Sequence, residues 1–212
     1  MSQYEGLSDD EFPDNFGYTH RSLFFLSMTL GEMVTLNKAR RKREELDILE
    51  NYIFHKFHTT LMYTFTMEYC KLLESGKGSS NYAALHKLNR KVLHFKGTVY
   101  QKTFEHVEGR IDQLIGSDFH KYLRILRDKT LAHSDKSEKG SNFNVSSFSD
   151  KQLKTALAHF SEMNSIHSVC AQQFQMEYII SLDDISSELF IERAGKYLKS
   201  YKENVKDDWD VD

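Results

Sequence analysis

IFHKFHTTLMYTFTMEY, residues 53–69, places Ile53, Phe57, Leu61, Phe65 and Tyr69 at four-residue steps, with Ile48 and Tyr52 leading in. Large apolar side chains at that spacing gather on one side of an α-helix, whereas a half-buried strand would alternate every two residues. The pattern predicts a long helix over 43–74, buried along one stripe. Upstream, Leu23, Leu26, Leu30, Met33 and Val34 recur at three- and four-residue steps and predict a first helix over 19–36, with Thr19 as its cap. Between the two lies KARRKR, residues 38–43, a charge run that reads as a solvated connection or the start of the next helix, with phosphate binding as the less favoured use.

Downstream the same period continues. SGKGSS, residues 75–80, reads as a plain turn, because a phosphate loop requires a preceding strand and a terminal GK[ST]. Leu85, Leu88, Val92 and Phe95 predict a helix over 80–95. Gly97 interrupts it, and Val99, Phe104, Val107, Ile111, Leu114 and Ile115 predict the next. Gly116 ends that one, and Ser117 or Asp118 caps a helix carrying Phe119, Tyr122, Leu123, Leu126 and Thr130 on one face. After the polar stretch 134–149, Ser149 and Gln152 form a capping box for a helix over 150–181, and a last helix is expected over 184–203. The fold class expected is all-α, an antiparallel helical bundle with short connections. Its domain would span 19–205, with a flexible segment at 1–18 and an acidic tail at 206–212.

Composition agrees. The 212 residues contain one proline, Pro13, where a β-rich chain would need many breaks. They are 40% hydrophobic and 28% charged, which excludes a wholly disordered or fibrous chain. The longest apolar run, LFFLSMTLGEMVTL at 23–36, carries Glu32 and falls short of the roughly 20 residues a membrane span needs. The acidic N-terminus, MSQYEGLSDDEF, is unlike a secretory signal, so a cytoplasmic location is expected. Cys70 and Cys170, without metal-ligand spacing, are expected to be buried free thiols.

Charge is unevenly spread. Residues 86–139 hold twelve cations against seven acids, so this segment is +5 while the rest of a −3 chain is −8. That suggests a local site for a polyanion rather than general nucleic-acid coating. The sequence contains no GxSxG, HExxH or CxxC and no dinucleotide glycine fingerprint. His55 and His58 share a helix face, but one pair of histidines is more often surface decoration than a metal site. No cofactor or metal is expected.

The remaining candidates lie in RDKTLAHSD, residues 127–135. Arg127, followed by the polar Asp128 and by His133 after five intervening residues, resembles the signature of the HEPN superfamily. These are all-α proteins of prokaryotic defence and toxin–antitoxin systems and of some eukaryotic RNases. The wider string LRILRDKTLAHSDKS is similar to the abortive-infection AbiU-type branch. The resemblance covers about 15 residues and otherwise rests on helical character and length. It implies a homodimer that cuts RNA without metal, with Arg127 and His133 as the catalytic pair at the dimer cleft, and a cognate antitoxin as a possible partner. Arg124 and Lys129 are cations on the same or adjacent turns and would contact the RNA backbone. HEPN toxins paired with nucleotidyltransferase antitoxins commonly carry a tyrosine two positions after the histidine. Asp135 stands there instead, which removes that mode of control and leaves Asp135 to orient His133 or pair with a lysine.

Geometry constrains the pair. On a continuous helix, six steps of about 100° and 1.5 Å would set Arg127 and His133 about 120° and 9 Å apart. They converge only if the helix ends near Ala132 or a second chain brings its own pair across a two-fold axis. An imidazole with its usual pKa of about 6.5 can then take the proton of a ribose 2′-OH or protonate the leaving 5′-oxygen, while the guanidinium steadies the phosphorane. The competing reading is a noncatalytic helical interaction module, in which Arg127 pairs with Asp128, Asp135 or a carboxylate on a neighbouring helix and His133 simply sits at a helix C-terminus.

Overall fold

The structure, a computed structural model, describes residues 11–37, 42–50, 52–74, 81–128, 148–174, 191–196 and 199–200. It is an all-α bundle, and no strand occurs among the described residues. The helices are α1 (Glu11–Leu36), α2 (Arg43–Leu49), α3 (Tyr52–Leu72), α4 (Leu85–Lys96), α5 (Gln101–Gly116), α6 (Asp118–Leu126) and α7 (Asp150–Gln172), with a 3₁₀ turn at Gly97–Tyr100 between α4 and α5. Residues 191–196 are also helical and return Ile191 to the core.

α1 lies along α3 and α7 and forms the spine of the bundle. Leu23, Leu26, Leu30 and Met33 from α1 meet Phe65, Tyr69 and Leu72 from α3, Leu123 and Leu126 from α6, and Phe160, Met163 and Ile166 from α7 in one core. A smaller cluster of Phe16, Leu88, Val92, Tyr100, Cys170 and Ala171 closes the other side. At its edge Asn89 is wholly buried and its polar atoms are engaged. Its amide donates to the Phe104 carbonyl at 3.2 Å and the Glu108 carboxylate at 2.9 Å, and its oxygen accepts from the Tyr100 hydroxyl at 2.8 Å. Both cysteines are buried and free, as expected.

Two of the three capping signals operate as read. The Ser117 hydroxyl accepts from the His120 N–H at the start of α6, and Ser149 and Gln152 complete a capping box on α7. Gly97 sits at φ +60° and ψ −145°, backbone space that a residue with a Cβ rarely enters, and there the chain leaves α4 for the 3₁₀ turn.

Four expectations are corrected. The first helix begins at Glu11 rather than Thr19, so residues 11–18 of the segment expected to be flexible are helical, with Asn15 and Phe16 buried. Acidic residues favour a helix N-terminus, and Pro13 falls in the first turn, whose N–H groups have no intrahelical acceptor. Thr19 is no cap: its hydroxyl, fully buried, donates to the Asn15 carbonyl at 2.8 Å and to that of Ala83 at 3.3 Å.

The helix expected over 43–74 is two, broken at Glu50. Steps of four residues advance about 400°, so each stripe residue rotates some 40° past the one before. One end of such a stripe can face the core while the other drifts into solvent. Leu61, Phe65 and Tyr69 are buried, but Phe57 is 37% and Tyr52 66% exposed. Val99, expected inward, is 92% exposed because it sits in the turn after Gly97 rather than on the face of α5. The other expected ends, at 1–10 and 206–212, lie outside the described residues, as does most of the segment beyond α7.

Candidate functional site

Arg127 directly follows α6 and is its C-cap, with helical φ and ψ. α6 is anchored by Phe119, Leu123 and Leu126 in the core, and this fixes where Arg127 emerges. Its Nε donates to the Asp128 carboxylate at 2.7 Å, and the side chain keeps 26% of its surface exposed. Only Nε is engaged: no hydrogen bond to either Nη nitrogen occurs among the described residues. The hydrogen bond to Asp128 raises the guanidinium pKa further, so the group stays cationic. Arg124, one turn earlier, is exposed. Residues three apart on a helix share a face, and both arginines act electrostatically on the same two buried groups, Cys70 and His120. Lys129, His133 and Asp135 lie outside the described residues, so Arg124, Arg127 and Asp128 are the portion of the expected site that the structure places.

Behind Arg127 the bundle holds a buried polar cluster. The Tyr69 hydroxyl and His159 Nδ1 are 2.7 Å apart, joining α3 to α7. Burial first, and then the neighbouring Cys70, raise the Tyr69 phenol well above its ordinary range. His120, only 3% exposed, packs 5.8 Å from the Tyr69 ring, and its Nδ1 has no hydrogen-bond partner among the described residues. Burial, followed by the charges of Arg124, Arg127 and His159, pushes this imidazole down to about 4. His120 is therefore neutral at physiological pH. Burial also raises the Cys70 thiol to about 11, despite Arg127 nearby, so it is no nucleophile at neutral pH.

Ion pairs engage some cations of the middle segment. Arg110 Nε donates to Glu162 at 2.6 Å and Nη2 to the Ser165 hydroxyl at 2.8 Å, which clasps α5 to α7, and Lys121 pairs with Asp118 at 3.1 Å. Among the described residues no three His, Cys, Asp or Glu side chains gather as a metal site. His55 and His58 are close enough for the charge of His55 to add to burial in lowering the pKa of His58, and among the described residues no third metal-ligating side chain joins them.

The sequence reading missed a cleft of about 500 Å³ where α1, the C-terminal part of α3 and residues 81–83 meet. Tyr18, Arg21, Ser22 and Phe25 line it from α1, Glu68 and Lys71 from α3, and Asn81, Tyr82 and Ala83 from the segment before α4. The i, i+3, i+4 spacing of Tyr18, Arg21 and Ser22 was the available signal. Tyr18 falls within the segment expected to be flexible, and this masks the pattern.

Comparisons of the chain with protein-family models, with curated proteins and with solved structures found no match. Among the described residues no helix is long and apolar enough to cross a membrane.

Proposed function

We propose that this chain is a HEPN-like, metal-independent endoribonuclease of a prokaryotic defence or toxin–antitoxin type system, acting in the cytoplasm as a homodimer whose cleft pairs Arg127 with His133. The observation that carries the reading is the state of Arg127. The guanidinium ends a core-anchored helix, is steadied through Nε by Asp128, and has its Nη pair available for a phosphate. Arg124 on the same face adds a second cation for the RNA backbone. His133 then accepts the proton of the 2′-OH as the 2′-oxygen bonds to phosphorus, and a proton returns to the 5′-oxygen as its bond to phosphorus breaks. Lys129 extends the backbone contact, Asp135 orients His133, and a cognate antitoxin would cover the cleft.

The Arg127–Asp128 pair also favours a second reading, a noncatalytic interaction module in which this pair forms part of a polar dimer seam. Cleavage of a labelled RNA in EDTA separates the two. His133→Ala should lower cleavage by about 10²–10⁴-fold while RNA binding and helical circular dichroism persist. Arg127→Ala should weaken both binding and cleavage. Absence of cleavage by the unaltered protein in EDTA and in Mg²⁺, or unfolding of His133→Ala, would establish the interaction module instead.

A further inference from the structure

The cleft between α1 and α3 is not part of the Arg127 constellation, yet it opens at the same end of α3. That end places Glu68 and Lys71 in the cleft lining, and Cys70 and the following Glu74 act electrostatically with Arg127. Asn81, in the cleft wall, donates to Glu74 at 2.9 Å, and the charge of Glu74 is felt at Arg127. One carboxylate, held by the cleft wall, thus acts through its charge at Arg127.

The chemistry of the cleft is specific. Tyr18 and Tyr82 stack at 6.1 Å between ring centroids with 30° between their planes, and both remain half-exposed. The pair forms a flat aromatic platform, and its centroid spacing leaves no room for a ring between the two. A ligand ring would stack on an outer face. One turn from Tyr18, the Arg21 guanidinium sits 5.6 Å from the centroid of the Phe25 ring, which steadies it without using its N–H groups. Arg21 makes no hydrogen bond or ion pair among the described residues.

Glu68 would repel an anion if its charge were unbalanced, but each oxygen is occupied. Oε1 accepts from Lys71 at 2.6 Å and Oε2 from the Ser22 hydroxyl at 2.7 Å. With Lys71 matched to Glu68, the net attraction for an anion comes from Arg21. An aromatic platform beside a cation without an anionic partner is the arrangement by which proteins hold unpaired nucleotides, with the base stacked and the phosphate paired.

We propose that the Tyr18–Tyr82 platform and Arg21 form a subsite for one nucleotide of single-stranded RNA, flanking the bond held at Arg127. This rests on the ribonuclease reading for the flanking relation, while the subsite stands on its own contacts. It makes the substrate an unpaired strand, because a base within a duplex cannot present its face to a tyrosine. A protein partner in the same cleft is the competing occupant, and the experiment below decides against one of them.

The probe is a fluorescein-labelled 2′-O-methyl oligouridylate, which cannot be cleaved through its 2′-oxygen, so binding is read independently of catalysis. Anisotropy titrations of the full chain should show Tyr82→Ala weakening binding by about five- to a hundredfold, with Tyr82→Phe close to unaltered, since stacking needs the ring and not the hydroxyl. An abasic oligomer of equal length should bind weakly to the unaltered protein and be insensitive to Tyr82→Ala. Arg21→Ala should weaken binding and reduce the log–log salt slope by about 0.7. Equal affinity for unaltered protein and Tyr82→Ala, or equal affinity for the oligouridylate and its abasic counterpart, overturns the subsite. Tyr82 is exposed, so unchanged circular dichroism should accompany the variant. If cleavage in EDTA is absent while the Tyr82 effect holds, the subsite stands and the ribonuclease reading fails; if cleavage depends on His133 while Tyr82 has no effect, the reverse holds.

Discussion

Lowering the pH from 7.5 to 5 should destabilise this bundle, and two buried histidines set the magnitude. His120 is 3% exposed, and burial together with Arg124, Arg127 and His159 pushes it down to about 4; His167 is fully buried, and burial together with His20 pushes it down to about 4 as well. Both are neutral in the folded chain at pH 5, but an unfolded histidine with its usual value of 6.5 is mostly protonated. The unfolded state therefore binds more protons, and stability falls as pH falls. The loss begins near pH 6.5 and is complete below about pH 4. A depression of about 2.5 units corresponds to about 3 kcal/mol per histidine at most, and about 2 kcal/mol of that is expressed at pH 5. Together they should remove about 4 kcal/mol, a large part of the 5–15 kcal/mol typical of a domain. His20, His58, His86 and His159 are lowered by burial and push in the same direction. Glu108 opposes them, because burial raises its pKa and makes its protonation easier in the folded chain. Urea unfolding at pH 7.5 and 5.0 would measure the difference, and His167→Asn should remove about half of it while lowering stability at both pH values. Equal stability of the unaltered protein at the two pH values would refute the argument.

Gly97→Ala should cost about 1–3 kcal/mol, because φ +60° with ψ −145° admits a Cβ only with strain even though the added carbon meets no neighbour; thermal unfolding would show it. Phe65→Ala should cost about 3–5 kcal/mol by emptying a fully buried position against Tyr69 and Phe148, read from the urea midpoint. Sedimentation at micromolar concentration should show a dimer if the Arg127 and His133 pairs of two chains complete one site, and a strict monomer would exclude that composite arrangement.

The periodicity of apolar residues made the bundle legible, and side-chain capping signals marked two helix starts, at Ser149 to the residue and at Ser117 or Asp118 to within one. Periodicity failed where helical rotation matters over distance. The four-residue stripe of 53–69 looked continuous in sequence, although successive members turn away from one neighbour, and so Tyr52 and Phe57 face solvent. Polarity misled at the N-terminus. Asp9, Asp10, Glu11 and Asp14 read as a loose end, but carboxylates are what the start of a helix accommodates. Of the site, the sequence made Arg127 and its follower Asp128 legible through a local motif. The Tyr69–His159 contact and the α1–α3 cleft join residues 90 and some 60 positions apart, and no local pattern encodes such meetings.

Asn89, Tyr100 and Glu108 exchange hydrogen bonds in a place that otherwise holds hydrocarbon. Replacing Asn89 with leucine would leave the phenol only the Cys170 sulfur at 3.9 Å and strip the half-buried carboxylate of its amide donor, and each replacement of a partner would unpair part of the amide. No single substitution therefore leads from this polar node to an apolar one without passing through an intermediate weaker than either end. Related chains should carry the three residues together or lack all three. An alignment showing them varying independently would mean that the node is not the unit on which selection acts.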